Sequence, residues 1–200
     1  MMKFKIFANF GKPTGAIGKF ILKGMNISHS AASKWGLSHL ILRPADKVLD
    51  IGCGGGANIA RLLRLCPNGY VAGIDHSEES VALSSKRNKT AIGTRCDIVC
   101  ADVSDMPFDD NTFDAVTAFE TIYFWRDLSK CFSEVNRVLK KDGVFMIEYA
   151  AEDMSSAWSN IIDNMTIYTN QELEKYLEQT GFSEIKIHKR KICVCITAKK

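Results

Sequence analysis

Residues 48–63 read VLDIGCGGGANIARLL. The first six form a short apolar run that ends in glycines, the pattern of a strand buried on both faces of a parallel sheet. From Asn58 a helix follows in which Ile59, Leu62, Leu63 and Leu65 make an apolar side. Gly52-Cys53-Gly54-Gly55-Gly56-Ala57 joins the two. Glycines there allow a tight turn and let the backbone approach a ligand that a side chain would repel. The helix points its free N–H groups at the same spot, where a carboxylate or phosphate is stabilised. Gly52, Gly54 and Ala57 also fit the dinucleotide pattern G-x-G-x-x-G/A. Alone that pattern is weak, because an ordinary glycine-rich turn has the same look.

Outward from this loop the chain alternates strands and helices. Apolar runs at 70–75 (YVAGID), 97–103 (DIVCADV), 113–119 (FDAVTAF) and 143–150 (GVFMIEYA) read as further strands. Residues 58–65, 78–87 and 128–140 read as helices, the last with Leu128, Cys131, Phe132, Val135, Val138 and Leu139 on one side. Thr169 and Glu172 form a capping box for a helix that runs to Gly181. Two strands follow around 184–188 and 192–198, close enough to be antiparallel. Repeated strand–helix–strand units predict a doubly wound α/β fold, a parallel sheet with helices on both faces. Ligands in such folds bind at the carboxyl ends of the strands. Asp75 ends the second strand, where a carboxylate accepts hydrogen bonds from ribose hydroxyls. Enzymes that bind a ribose-containing cofactor use an acid there, and a strand-end Asp with no ligand is the plain alternative.

VLDIGCGGGANIARLL, GIDHSEESV, ADVSDMPFDDNTFDAV and EVNRVLKKDGVFMIEY come in an order and spacing that resemble class I S-adenosylmethionine-dependent methyltransferases. The type 11 group, which includes ubiquinone/menaquinone C-methyltransferases, looks most similar. The resemblance covers residues 46–150. It implies a Rossmann-like, seven-stranded, mostly parallel sheet with the last strand antiparallel. It implies that Gly52, Gly54 and Gly56 lie against the methionine part of the cofactor, with Asn58 among the contacts. Asp50 would orient the amino group of that part through water. Asp75 would hold the ribose, His76 would lie beside the adenine, and Asp102 with the Val103 backbone would meet the adenine edge. Phe119 and Glu120 would flank the sulfonium. Adenine N6 is a donor, which suits Asp102, and a sulfonium suits carbonyls and aromatic faces. Phe119-Glu120-Thr121-Ile122-Tyr123-Phe124-Trp125 supplies an acid and aromatics. Core packing competes with a site role at Phe124 more than at Tyr123 and Trp125, which lie beyond the strand.

Methyl transfer from a sulfonium is an in-line displacement, so the protein must align an acceptor, exclude water and take a proton where there is one. No catalytic triad is expected. The acceptor-side candidates are His29, Glu120, Tyr123 and Tyr149. A histidine at position 29 is a candidate base, because imidazole is the side chain suited to proton transfer near neutral pH, although the sequence favours a surface histidine capping a turn. Residues 1–45 hold seven basic residues and no acid, against a net charge of +3 for the whole chain. That segment is expected to form a helical cap or lid, with an amphipathic helix at 16–25, before a cofactor-binding core at 46–150. Residues 151–200 complete a single domain with a helix and a hairpin. The charge asymmetry fits an acidic partner or a solvated lysine face.

The rest is exclusion. With 46% hydrophobic and 24% charged residues the chain is neither disordered nor fibrous. No apolar run reaches the roughly 20 residues of a membrane span, and the N-terminal stretch lacks the continuous apolar region of a secretory signal. Seven cysteines without C-x-x-C spacing predict free thiols in the cytoplasm. Four scattered histidines predict no metal. The absence of [N/D]-P-P-[Y/F] and of a Pro-Cys nucleophile disfavours nucleic acid as substrate and leaves a small-molecule acceptor, acidic or apolar. Oligomeric state is not legible. Two rivals stay open. An NAD-dependent oxidoreductase explains the loop and Asp75 but not Asp102 or Phe113-Asp114. A non-catalytic cofactor-binding or partner protein remains because methyl transfer has no diagnostic catalytic residue.

Overall fold

The computed structural model describes residues 30–151 and 165–200. Seven strands, β1 (Lys47–Ile51), β2 (Tyr70–Asp75), β3 (Cys96–Cys100), β4 (Phe113–Phe119), β5 (Leu139–Ala150), β6 (Ser183–Lys189) and β7 (Cys193–Lys199), form one sheet in the order β3-β2-β1-β4-β5-β7-β6. β1 pairs in parallel with β2 and with β4, so the strand order reverses at β1. β7 runs antiparallel to both β5 and β6. The expected doubly wound sheet with an antiparallel last strand is therefore present.

The helices described are α1 (Ser30–Leu37), α2 (Ala57–Leu65), α3 (Glu78–Arg87), α4 (Leu128–Val138) and α5 (Asn170–Gln179). Two apolar cores lie on opposite faces of the sheet because side chains alternate along a strand. Leu49, Ile51, Ile74, Val116, Phe145 and Ile147 point to the core shared with α4 and α5. Val48, Val71, Ala115 and Met146 point to the core shared with α1 and α2. Burial on both faces is why the strands read as unbroken apolar runs.

Some boundaries differ from the sequence reading. The third strand ends at Cys100, not 103, because the Asp102 carboxylate accepts the Ser104 N–H at 2.8 Å and turns the chain. α4 stops at Val138 and β5 begins at once at Leu139, which pairs with Phe113. Leu65 is 48% exposed rather than on the apolar side of α2. Helical periodicity carries it off the stripe that Ile59, Leu62 and Leu63 bury. The capping box of Thr169 and Glu172 is formed, and Gly181 takes φ +87° just beyond α5. Among the described residues no helix is long and apolar enough to cross a membrane.

Candidate functional site

The carboxyl ends of β1, β2 and β4 meet where the strand order reverses, the position at which such sheets bind ligands. The chain leaves β1 through Gly52 (φ +69°), Gly54 (φ +52°) and Gly56 (φ +73°), conformations that side chains disfavour. The Gly52 and Cys53 N–H groups donate to the Ile74 carbonyl at 2.8 and 3.0 Å, fixing the loop against β2. Gly56 caps α2 without a side-chain hydrogen bond, so the loop and the helix N-terminus offer backbone donors to a ligand. Close packing explains two of these glycines as well. A Cβ on Gly52 would lie 2.4 Å from Thr121 Oγ1, and one on Gly56 would lie 2.4 Å from Ser84 Oγ and 2.8 Å from the Ser84 Cα. Asn58 faces α1 rather than standing free. Its amide donates to Ser33 Oγ at 3.4 Å, and its carbonyl oxygen accepts from Arg61.

Two buried acids stand beside the loop. Asp75 is 8% exposed, and its two oxygens accept the N–H groups of Gly54 and Ser77, each at 2.9 Å. Burial raises its pKa against those two donations. The Ser80 hydroxyl is a third internal donor to it, and a carboxylate has about four acceptor positions in all. Asp50 is buried and accepts the Thr117 hydroxyl at 2.8 Å. Burial pushes its carboxyl up to about 7. His76 is exposed, with Nδ1 3.8 Å from Asp75 Oδ1. Asp102 is exposed, with its pKa lowered first by the Ser104 N–H, and Val103 is half-buried. Backbone donors, a helix N-terminus and buried carboxylates with spare lone pairs fit a ligand that carries an amino-acid end and a ribose.

Across the switch point, β4 ends at Phe119 and Glu120 follows it. Phe119 is buried on the α1 face. Glu120 has φ +53°, which is uncommon for a residue with a side chain and is held by its N–H bonding the Glu148 carbonyl at 2.8 Å. Its Oε2 accepts the Tyr123 hydroxyl at 2.8 Å, and burial pushes the carboxyl up to about 7 against that donation. The Tyr123 oxygen in turn accepts the Ala150 N–H. Tyr123 and Glu120 are thus brought together, whereas Tyr149 is bonded at the head of α5. Tyr149 is 3% exposed and donates to Asn170 Oδ1 at 2.6 Å at the head of α5. Trp125 is 4% exposed and stacks on Phe145 at 6.3 Å, so it belongs to the core, while Phe124 is only half-buried. That reverses the expected order of the aromatics, because the 3-10 turn at Ile122–Phe124 swings Trp125 back over α4 and β5. His29 and residues 16–25 lie outside the described residues.

Sequence reasoning missed Glu148. It is fully buried, and neither carboxyl oxygen has a hydrogen-bond partner. Burial, with a smaller contribution from Glu120, pushes its pKa up to about 9. The available signal was a single acid in the apolar run of β5.

Residues 49–147 match the methyltransferase domain family. Those residues form a methyltransferase domain of that family. Over 105 residues, 52% of this methyltransferase-domain chain, it is 36% identical to the cycloartenol-C-24-methyltransferase of Arabidopsis thaliana. Those residues are only 31% of that relative, so the chain spans about a third of its length. The Bacillus subtilis protein YrhH is 28% identical over 155 residues, 78% of each chain. The crystal structure of a SAM dependent methyltransferase from Aquifex aeolicus superposes with a TM-score of 0.75 at 20% identity, covering 89% of this chain and 96% of that one. That likeness is one of fold.

Proposed function

We propose that this chain is an S-adenosylmethionine-dependent methyltransferase acting on a small-molecule acceptor. The observation that carries the reading is the convergence of the Gly52–Gly56 loop, Asp75 and Glu120 at the carboxyl ends of three adjoining strands, in a chain with a methyltransferase domain. When bound, the cofactor supplies an already activated methyl group. The chain's own groups bind, orient and exclude water. Gly52, Gly54 and Gly56 with the head of α2 cradle the methionine part, and Asp50 orients its amino group. Asp75 uses its remaining acceptor capacity on the ribose hydroxyls. His76, Asp102 and the Val103 backbone edge the adenine, and Phe119 with Glu120 borders the reacting centre. Glu120, with a carboxyl near 7 and a Tyr123 hydroxyl to steady it, is suited to take a proton from the acceptor. Asn58, at the head of α2, joins that helix to α1 through Ser33 and lies beside the same loop. Residues 1–45, with His29, serve as the cap over the acceptor within a single domain. Seven thiols with no disulfide among them fit work in the cytoplasm.

A sterol C-methyltransferase among the relatives favours a small, apolar acceptor. An NAD-dependent reading leaves Glu120 and its tyrosine without a task. The test is a thermal melt and titration with S-adenosylmethionine, S-adenosylhomocysteine and NAD, followed by a labelled-methyl screen of apolar and acidic small molecules. The sulfur compounds at 100 times their dissociation constant stabilise by about 2.7 kcal/mol, and NAD gives no shift. No binding of either sulfur compound would overturn the assignment.

A further inference from the structure

Glu148 is placed where an acid is costly. It lies on β5 between Phe119 of β4 and Cys195 of β7, its register partners on either side. α1 covers it, and a Cβ on Gly36 would come 3.1 Å from Glu148 Cγ. The side chain is fully buried with both oxygens unpartnered. A buried carboxyl normally has hydrogen bonds or a counter-ion, and the elements packed here supply neither. The turn after β4 contributes Glu120, a second acid, with its tyrosine Tyr123. β7 contributes the buried thiols of Cys193 and Cys195, whose own pKa values burial raises. Gly36 is the α1 residue that meets Glu148, and the Lys34 of that helix is exposed. The position also adjoins two residues of the candidate site. The Glu120 N–H bonds the Glu148 carbonyl, and Phe119, assigned above to the border of the reacting centre, is the direct neighbour of Glu148 on the same face.

We propose that Glu148 is a charge-reading residue: with Glu120 it forms a carboxyl pair completed by the positive sulfonium of the cofactor, so that the site distinguishes the charged donor from its neutral product. The inference rests on the proposed cofactor. Two acids with no cation among the described residues form an incomplete site, and a ligand cation completes it at the moment of binding. The buried carboxyl is neutral without ligand, because desolvation penalises its charge. It ionises when the sulfonium arrives and gives its proton to solvent. Once the methyl group has left, the thioether is neutral, Glu148 regains a proton and the product is held less firmly.

The test is calorimetry on the full chain with S-adenosylmethionine and S-adenosylhomocysteine, for wild type, Glu148→Gln and Glu120→Gln, each in two buffers of different ionisation enthalpy. Titrating near about pH 8 leaves Glu120, near 7, ionised and Glu148, near 9, protonated before binding. Wild type is expected to release up to about one proton on binding the sulfonium compound and almost none on binding the thioether. Glu148→Gln is expected to abolish that release and to weaken the sulfonium compound by about tenfold or more, with the thioether nearly unchanged. Glu120→Gln, which keeps an oxygen for the Tyr123 hydroxyl, is expected to weaken the same ligand selectively. Equal loss of both ligands in Glu148→Gln would assign the residue to the fold or to the amino group that the two compounds share, and overturn the proposal. So would unchanged affinities with unchanged proton release. Wild-type protein that binds neither compound would instead remove the cofactor assignment on which the proposal stands.

Discussion

Asp75 holds its own loop before it holds any ligand. Its carboxylate accepts the Gly54 and Ser77 N–H groups, both in the turn around the site. Asp75→Ala therefore removes internal bonds as well as the ribose contact. It is expected to lower stability by about 1–3 kcal/mol in a denaturant melt, through buried donors left unpaired. Asp75→Asn keeps a carbonyl oxygen and is expected to fold, yet to lose about tenfold to a hundredfold in S-adenosylmethionine affinity. A folded Asn variant of unchanged affinity would show that β2 does not end at the ribose. Glu148 sets a stability trend with pH. Its folded pKa, near 9, stands above the ordinary 4.5, so between those values the native state binds more protons than the unfolded chain. Stability then falls as pH rises through that window. Glu148→Gln removes the slope. Its melting temperature relative to wild type is expected to climb by at least ~2 °C from acidic to mildly alkaline pH, about 1 kcal/mol for a chain of this size. Parallel curves for the two proteins would mean that Glu148 titrates normally. Asp75 was legible because a strand-end acid after a glycine loop is a local pattern. The state of Glu148 was not, because it depends on which helix covers the strand.

At the scale of elements, glycines with positive φ serve different ends. Gly56 lies where α2 meets α3, and an added methyl would strike the Ser84 side chain and backbone. The neighbouring Asn88 amide donates to the Gly56 carbonyl at 3.1 Å, so the junction has little room to shift. Gly181, beyond α5, has φ +87° but only an ordinary 3.5 Å contact with Asn136 Nδ2. Gly56→Ala is expected to cost about 1–3 kcal/mol or more from strain and overpacking together. Gly181→Ala is expected to cost about 1 kcal/mol, from backbone strain alone. Chemical denaturation ranks the two, and equal losses would remove the packing role of Gly56. The amphipathic reading of α4 held because its apolar positions recur at three and four residues and all face one sheet. Leu65 did not follow its stretch, because one residue at the end of a helix can satisfy a loose apolar count and still turn to solvent.

At the scale of the whole molecule, the remaining question is what closes the site. Residues 1–29 are basic and acid-free. If they cap the acceptor, deleting them is expected to lower turnover by about a hundredfold, as a misplaced acceptor does, while cofactor affinity changes little. Initial rates with an acceptor from the labelled-methyl screen, set beside a cofactor titration, check this. Equal rates would reduce the segment to packing and take His29 with it. What the sequence determined by itself was the order of strands and helices, the glycine loop and the acids at the strand ends. Each is written in residues adjacent along the chain, where hydrophobic period and backbone freedom act locally. The tertiary structure alone decided that Trp125 belongs to the core, that Gly56 serves a helix junction, and that Asn58 faces α1. It also decided that Glu148 lies unpartnered beneath Gly36. These depend on neighbours far apart in sequence, and burial, the force that sets both packing and charge, is a property of what the fold brings together.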